Sequence, residues 1–253
     1  MYSVKPKKSL GQHFLKDENI ARKISESLNH RKNVLEIGPG TGVLTKYLMD
    51  SCDDFKAIEI DQESVSFLTV EFPQLESKII HGDFLKLNIK DLFDREFSVI
   101  GNFPYNISSQ IFFRVIEYRK QIPEVVCMLQ KEVALRMAAP PGSKTYGILS
   151  VLIGAYYDIK YLFTVNEQVF FPPPKVKSAV IRLERKENFV PDFDEKLFFS
   201  IVKAGFNQRR KTLRNSLRAF WTDKINPDDY PVFSKRPEQL SLTEFYDLTR
   251  ILS

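Results

Sequence analysis

The chain has 253 residues, 43% of them hydrophobic and 27% charged, with a formal net charge of +5. This is enough length for a sizeable core and the wrong composition for a disordered or fibrous protein. No run of about 18 apolar residues is present to span a bilayer, and the opening MYSVKPKKSLGQHFL is basic without an apolar stretch and cleavage site, so a cytoplasmic protein with no membrane partner is expected. Two cysteines and three histidines, none at ligand spacing, exclude a disulfide framework and leave no metal site to predict.

In chain order, NVLEIG (33–38), FKAIEI (55–60), SKIIHGD (77–83), FSVIGN (97–102) and EVVCML (124–129) are short apolar runs ending in turn or polar residues. Between them VLTKYLMD, ESVSFLTVEF and ISSQIFFRVIEY space their apolar residues as helices do. This alternation predicts an α/β fold: a Rossmann-like, doubly wound and mostly parallel sheet that binds ligands at the carboxyl ends of its strands. YYDIKYLFTV (156–165) and AVIRLE (179–184) flank a Pro-rich turn and predict an antiparallel pair at the sheet edge. From about Lys186 the pattern is helical only. The polar, proline-bearing RKENFVPDF sets a boundary there, giving one domain over residues 1–187 and a small all-helical domain over residues 188–253.

Glycines 38, 40 and 42 in EIGPGTG let the backbone turn tightly from strand to helix and approach a ligand. Such a turn serves a dinucleotide, a nucleoside or no ligand at all. Two details favour a nucleoside: the spacing is G-x-G-x-G, and an acid, Glu36, stands inside the strand. Glu59 follows Gly40 by 19 residues at the second strand end, where a carboxylate accepts ribose hydroxyls. Asp83 closes the third strand, within reach of an adenine amino group. Gly38, Gly40, Glu59 and Asp83 thus converge on one adenosine-like ligand. The fourth strand end carries Asn102-Phe103-Pro104-Tyr105, an amide and two rings that a turn alone does not need.

The segment KAGFNQRRKTLRNSLRAF holds six basic residues and no acidic one, as suits a phosphate-bearing partner. The plain alternative is a solvated helix face. As one helix, it gathers Lys203, Arg210, Lys211, Arg214 and Arg218 on one arc and Val202, Phe206, Leu213, Leu217 and Phe220 on its neighbour. Gly205 and Asn207 are positions where that helix breaks.

The tetrapeptide NFPY, in its NFPYNIS setting, resembles the signature of S-adenosylmethionine-dependent amino-group methyltransferases. With SLGQHFL, EIGPGTGVLT, AIEID, GDFL, LQKEVALRM, FFPPPKVKSAVIRL and FNQRRKTLRNSL, the chain resembles the KsgA-type ribosomal RNA adenine dimethyltransferases from about Lys7 to Leu252. The resemblance implies S-adenosyl-L-methionine as cofactor. His13 and Leu15 match positions at its methionine part, Gly38 lies against it, Glu59 takes the ribose, Asp83 the adenine, and Asn102 borders the methyl donor. Two departures stand out: position 13 is commonly asparagine in the family, and position 103 leucine or isoleucine. Asn102 and Pro104 are then the acceptors for the target N6, with Tyr105 and Phe170 stacking on its base. Lys5, Lys7, Lys8, Arg209, Arg210, Lys211, Arg214 and Arg218 are the RNA-binding candidates. The implied substrate is a pair of adjacent adenosines in the hairpin near the 3′ end of small-subunit (16S) ribosomal RNA, in a 30S assembly intermediate, with the protein acting as a monomer. Competing readings are a large-subunit RNA methyltransferase of the antibiotic-resistance type, a DNA adenine methyltransferase, and a non-catalytic assembly factor.

Overall fold

The computed structural model describes residues 4–187, 191–222 and 225–253. The fully apolar runs of the first half form the middle of a sheet, because a strand covered on both faces has no need of polar alternation. Strands β1 (Phe14–Leu15), β2 (Asn33–Ile37), β3 (Asp54–Glu59), β4 (Ile79–His81), β5 (Ser98–Asn102) and β6 (Glu124–Gln130) come first. They are followed by β7 (Tyr157–Val165), β8 (Phe170–Phe171) and β9 (Ser178–Arg185). Seven of these make one sheet in the order β4-β3-β2-β5-β6-β9-β7. The β2–β3, β2–β5, β3–β4 and β5–β6 pairs are parallel, whereas β9 runs antiparallel to β6. The order reverses at β2, whose partners on either side are β3 and β5, and this opens a crevice at the strand ends.

Helices α1 (Glu18–Glu26), α2 (Thr45–Leu48), α3 (Gln62–Glu71), α4 (Ser108–Glu117) and α5 (Lys131–Met137) lie among these strands in sequence. Asp17 and Asp61 start α1 and α3, their carboxylates accepting from backbone N–H groups of the first turn. Ile24, Val34, Leu48, Ala57, Leu68, Ile100 and Val126 are inaccessible at the centre of the core. Each Ile, Val and Leu side chain among them contributes about 1.5–3 kcal/mol by leaving water.

This first compact unit runs to Ala134 and resumes over Asp158–Arg185, while Leu135–Tyr157 joins the described residues from Lys186 onward in a second. The helical unit therefore takes in α6 (Ile148–Gly154) from the middle of the chain, which a single boundary at residue 187 does not anticipate. Residues 188–190, at that boundary, lie outside the described residues. Within the second unit, α7 (Glu195–Asn207) is capped by Asp194 and α9 (Leu242–Ile251) by a Ser241–Glu244 capping box. Phe198 packs on Tyr246 at 5.7 Å and Phe206 on Phe245 at 6.0 Å between ring centroids. The long basic helix is not formed. α7 stops at Asn207, residues 208–211 turn, and α8 (Leu213–Ser216) restarts after Thr212. No described helix is long and apolar enough to cross a membrane.

Candidate functional site

The β2 exit turns at Gly38, whose φ of 67° belongs to the left-handed region that side chains disfavour. A Cβ there meets nothing within 4 Å, so the missing side chain leaves room rather than packing. The space is a cleft of roughly 910 Å³, including its open mouth, lined by Leu10–Leu15, Glu36–Thr41, Glu59, Asp83 and Asn102–Tyr105. The carboxyl ends of β2, β3 and β5 thus meet in one place.

Glu59, only 4% exposed, accepts from Gly40 N at 3.0 Å and from Asp61 N at 2.9 Å, one bond on each oxygen. Burial pushes its carboxyl up, and the N–H bonds of Asp61 and Gly40 offset part of that. The Ile60 N–H also offsets the rise, and the carboxylate keeps acceptor capacity for a hydroxyl. Asp83 accepts from Leu85 N at 2.9 Å and keeps its second oxygen toward Lys86 at 3.8 Å.

Glu36 is 1% exposed and accepts from Thr45 Oγ1 at 2.7 Å. Burial pushes its carboxyl up to about 8, against the Thr45 bond, with the Glu59 charge adding to the rise. The folded state therefore keeps a proton that the unfolded chain releases from about pH 4.5 upward. The stability it contributes is complete below that pH and is lost as pH rises through about 8. Glu36→Gln accordingly matches wild type in denaturant midpoint at pH 5 and exceeds it at pH 9, by at most on the order of 4 kcal/mol. Parallel midpoints at both pH values are the check.

The Asn102 amide is fixed by its Nδ2, which donates to the His13 carbonyl at 2.9 Å. That bond assigns the amide and leaves Oδ1 as an acceptor with no partner among the described residues. His13 in turn sends Nδ1 to the Pro172 carbonyl at 2.7 Å, which only accepts, so Nδ1 carries the proton. Its ring stacks on Tyr105 at 5.5 Å with 28° between planes. The Tyr105 hydroxyl bonds Ser178 Oγ, and burial raises its phenol. The Pro104 carbonyl accepts from Ile107 N at 3.2 Å, which uses one of its two lone pairs. Phe103 is buried edge-on against Phe112, so its departure from the family pattern is a packing matter.

Phe170 is not where a stacking ring belongs. It is 1% exposed and sits in the core, because β8 pairs with β1 in the register Leu15↔Phe170 and Phe14↔Phe171. Opposed residues share a face of an antiparallel ribbon, so Leu15 and Phe170 point inward together. Phe171 is 55% exposed and lines a groove together with Phe14, which also lines the cleft.

A family model described as ribosomal RNA adenine dimethylase matches residues 3–227. The chain belongs to that family. A ribosomal RNA small subunit methyltransferase A from Flavobacterium johnsoniae is 58% identical over 254 residues, covering 99% of this chain and 97% of its own. One of the same name from Parabacteroides distasonis is 57% identical over 253 residues, covering 99% and 95%. Among solved structures, a dimethyladenosine transferase from Plasmodium falciparum superposes with a TM-score of 0.78 at 26% identity, over 93% of this chain and 96% of its own. The 23S rRNA methyltransferase ErmE shares the fold, with a TM-score of 0.67 at 24% identity over 94% and 99%.

For a ribosomal RNA adenine dimethylase, the basic residues matter next, and the structure divides them. Lys7 pairs with Asp61 at 2.5 Å and Glu63 at 3.2 Å within the first unit. Arg214 pairs with Asp228, and Arg209 reaches Glu238 at 3.9 Å and the Ser143 carbonyl at 3.3 Å. Lys8, Arg210, Lys211 and Arg218 are exposed and make no ion pair among the described residues. Asp61, Gln12 and Phe171 escape a reading of the sequence. None of the three is singled out until the long-range pairings are seen.

Proposed function

We propose that this ribosomal RNA adenine dimethylase transfers methyl groups from S-adenosyl-L-methionine to N6 of two adjacent adenosines in the 3′-terminal hairpin of small-subunit ribosomal RNA, during subunit assembly in the cytoplasm. The observation that carries the reading is the Asn102 amide, held by the His13 carbonyl with its oxygen unspent on a cleft wall.

The cleft fits the cofactor. The open space at Gly38 admits its chain, Glu59 has acceptor capacity for the ribose and Asp83 for the adenine, with His13 and Leu15 at the methionine end. Once bound, it supplies an electrophilic methyl on a sulfonium. The protein's work is on the amine. An adenine N6 lone pair is delocalised into the ring, so attack requires the nitrogen to rehybridise. Asn102 Oδ1, and the second lone pair of the Pro104 carbonyl, accept the N6 hydrogens with bonds that strengthen as this happens. Proline's fixed φ keeps that carbonyl aimed. Holding N6 in line supplies up to about 7–11 kcal/mol in favourable cases. The methylated nitrogen is acidic enough to lose its proton to water. After one transfer a single N6 hydrogen remains, so the monomethyl base is held by stacking and shape.

Extruding the base costs a few kcal/mol. Tyr105, ordered by Ser178 and His13, and the exposed Phe171 return part of it, at about 1–3 kcal/mol per stacked ring. Phe171→Ala is expected to weaken the Michaelis constant for RNA by roughly tenfold with cofactor affinity unchanged. Phe170→Ala instead lowers thermal stability, by about 3–5 kcal/mol. Steady-state kinetics beside thermal melts separate the two. Arg210, Lys211 and Arg218 position RNA through its phosphates.

The test is to incubate unmethylated small subunits and, separately, large subunits with labelled cofactor and map the modified bases. Label on N6 of adjacent small-subunit adenosines supports the reading. Label on the large subunit overturns the substrate, and absence of cofactor binding by calorimetry overturns the enzyme.

A further inference from the structure

The cleft wall contributed by residues 10–15 does not belong to the seven-stranded sheet. It is a strap that runs from Lys7 through a short 3-10 turn at Lys8–Leu10 into β1, and something must hold it in place. One end is held by β8, through the β1 pairing and the bond from Lys16 N to the Val169 carbonyl at 2.8 Å. The middle is held by Asn102 on the His13 carbonyl.

The other end is held by one buried acid. Asp61, 3% exposed, receives Lys7 Nζ at 2.5 Å on Oδ1 and Gln12 Nε2 at 3.3 Å on Oδ2. Gln12 Oε1 accepts from Lys7 N at 2.8 Å, closing the loop. The same Asp61 donates its backbone N–H to Glu59 Oε1 at 2.9 Å and caps α3 through Glu63 N and Ser64 Oγ. The cation that neutralises this acid thus comes from the strap, and the acid's own backbone orients the carboxylate assigned to the ribose. A charge left buried without its partner is strongly disfavoured, which makes closing the strap and ordering Glu59 a single event.

We propose that Lys7, Gln12 and Asp61 are positioning residues: a latch that holds the residue 7–15 strap as a wall of the cleft and fixes Glu59, so that the adenosyl ligand leaves slowly while the latch is closed. This rests on the reading of the cleft as a cofactor site. Lys7 acts through Asp61 rather than on an RNA phosphate, although its place in a basic N-terminal run suggests the latter.

The full chain tests it with S-adenosylhomocysteine as probe. Lys7→Ala raises the ligand's dissociation rate and Kd on the order of tenfold, and Lys7→Arg, which keeps the charge on Asp61, restores both. Affinity for small-subunit RNA and its salt slope stay at the wild-type value. In the absence of ligand, hydrogen exchange at the Gly11 and Gln12 amides, which bond back to Lys8 and Lys7 carbonyls, speeds up in Lys7→Ala. Unchanged ligand kinetics and exchange in Lys7→Ala overturn the latch. So does a weakened RNA affinity with the salt slope reduced by about one and ligand kinetics intact, which returns Lys7 to the phosphate backbone. If the wild-type protein does not bind S-adenosylhomocysteine, the cofactor reading falls instead, and the exchange measurement alone decides the latch.

Discussion

Asn102→Ala lowers methyl transfer by about 10²–10³-fold, the usual loss when one preorganised polar group facing a developing charge is removed, and leaves RNA affinity close to wild type. The effect is large because the variant loses both ends of the amide. The Oδ1 acceptor for N6 goes, and so does the Nδ2 donor that ties down the His13 carbonyl. Asn102→Asp separates the two: it retains an acceptor but cannot donate to His13, so the strap loosens while an acceptor remains. Single-turnover rates with pre-bound RNA read the chemical step, and filter binding reads the complex. If both fall equally in Asn102→Ala, the residue is a binding or folding element and its role in the chemistry is wrong.

The second large effect is one residue earlier. Gly101 lies inside β5, opposite the fully buried Cys127, and a Cβ built on it lands 2.4 Å from the Ile37 carbonyl oxygen and 3.3 Å from its carbon. The obstacle is backbone, not the tip of a flexible side chain, and it belongs to the last residue of β2 before the Gly38 turn. Gly101→Ala must therefore move the exit of β2 or the end of β5, the two strand ends that carry Gly38 and Asn102. Overpacking of this kind costs about 3 kcal/mol, or a fall in Tm of about 6–12 °C for a chain of this size. Cofactor affinity and turnover fall with it, since both halves of the site are displaced. A melt within a degree of wild type together with full activity means that the strands separate here at no cost, and the rigidity ascribed to this crossing is then absent.

Gly101 also illustrates what can and cannot be read from the chain alone. GN reads as a turn in the one-dimensional pattern, yet Gly101 is a strand residue required by close approach to a neighbouring strand, a fact of pairing. The sheet itself is legible because its central strands are covered on both faces and so appear as unbroken apolar runs. The acids at their ends stand out jointly, because they fall at successive strand ends, whereas each alone reads as a turn or cap residue. Long-range pairings leave no such trace. β1 and β8 are two residues long and exist only because they pair with each other, and that register, not local pattern, sends Phe170 into the core and Phe171 out. The Lys7–Asp61 pair spans 54 positions, so Lys7 reads as one more base in a basic run. Likewise α6 packs in the helical unit from within the α/β stretch. Its apolar sequence, ILSVLIG, requires burial but does not specify against what.

The central claim is geometric: the strand ends bring a sulfonium donor and an extruded adenine amine together at the Asn102 amide. A crystal structure of the protein with S-adenosylhomocysteine and an adenosine-bearing RNA hairpin tests it most directly. The nucleoside of the cofactor product is expected between Gly38, Glu59 and Asp83, and the target N6 within about 2.7–3.2 Å of Asn102 Oδ1. A complex with the Asn102 amide turned from the cleft, or with the target base stacked in its helix while the cleft is filled, contradicts it.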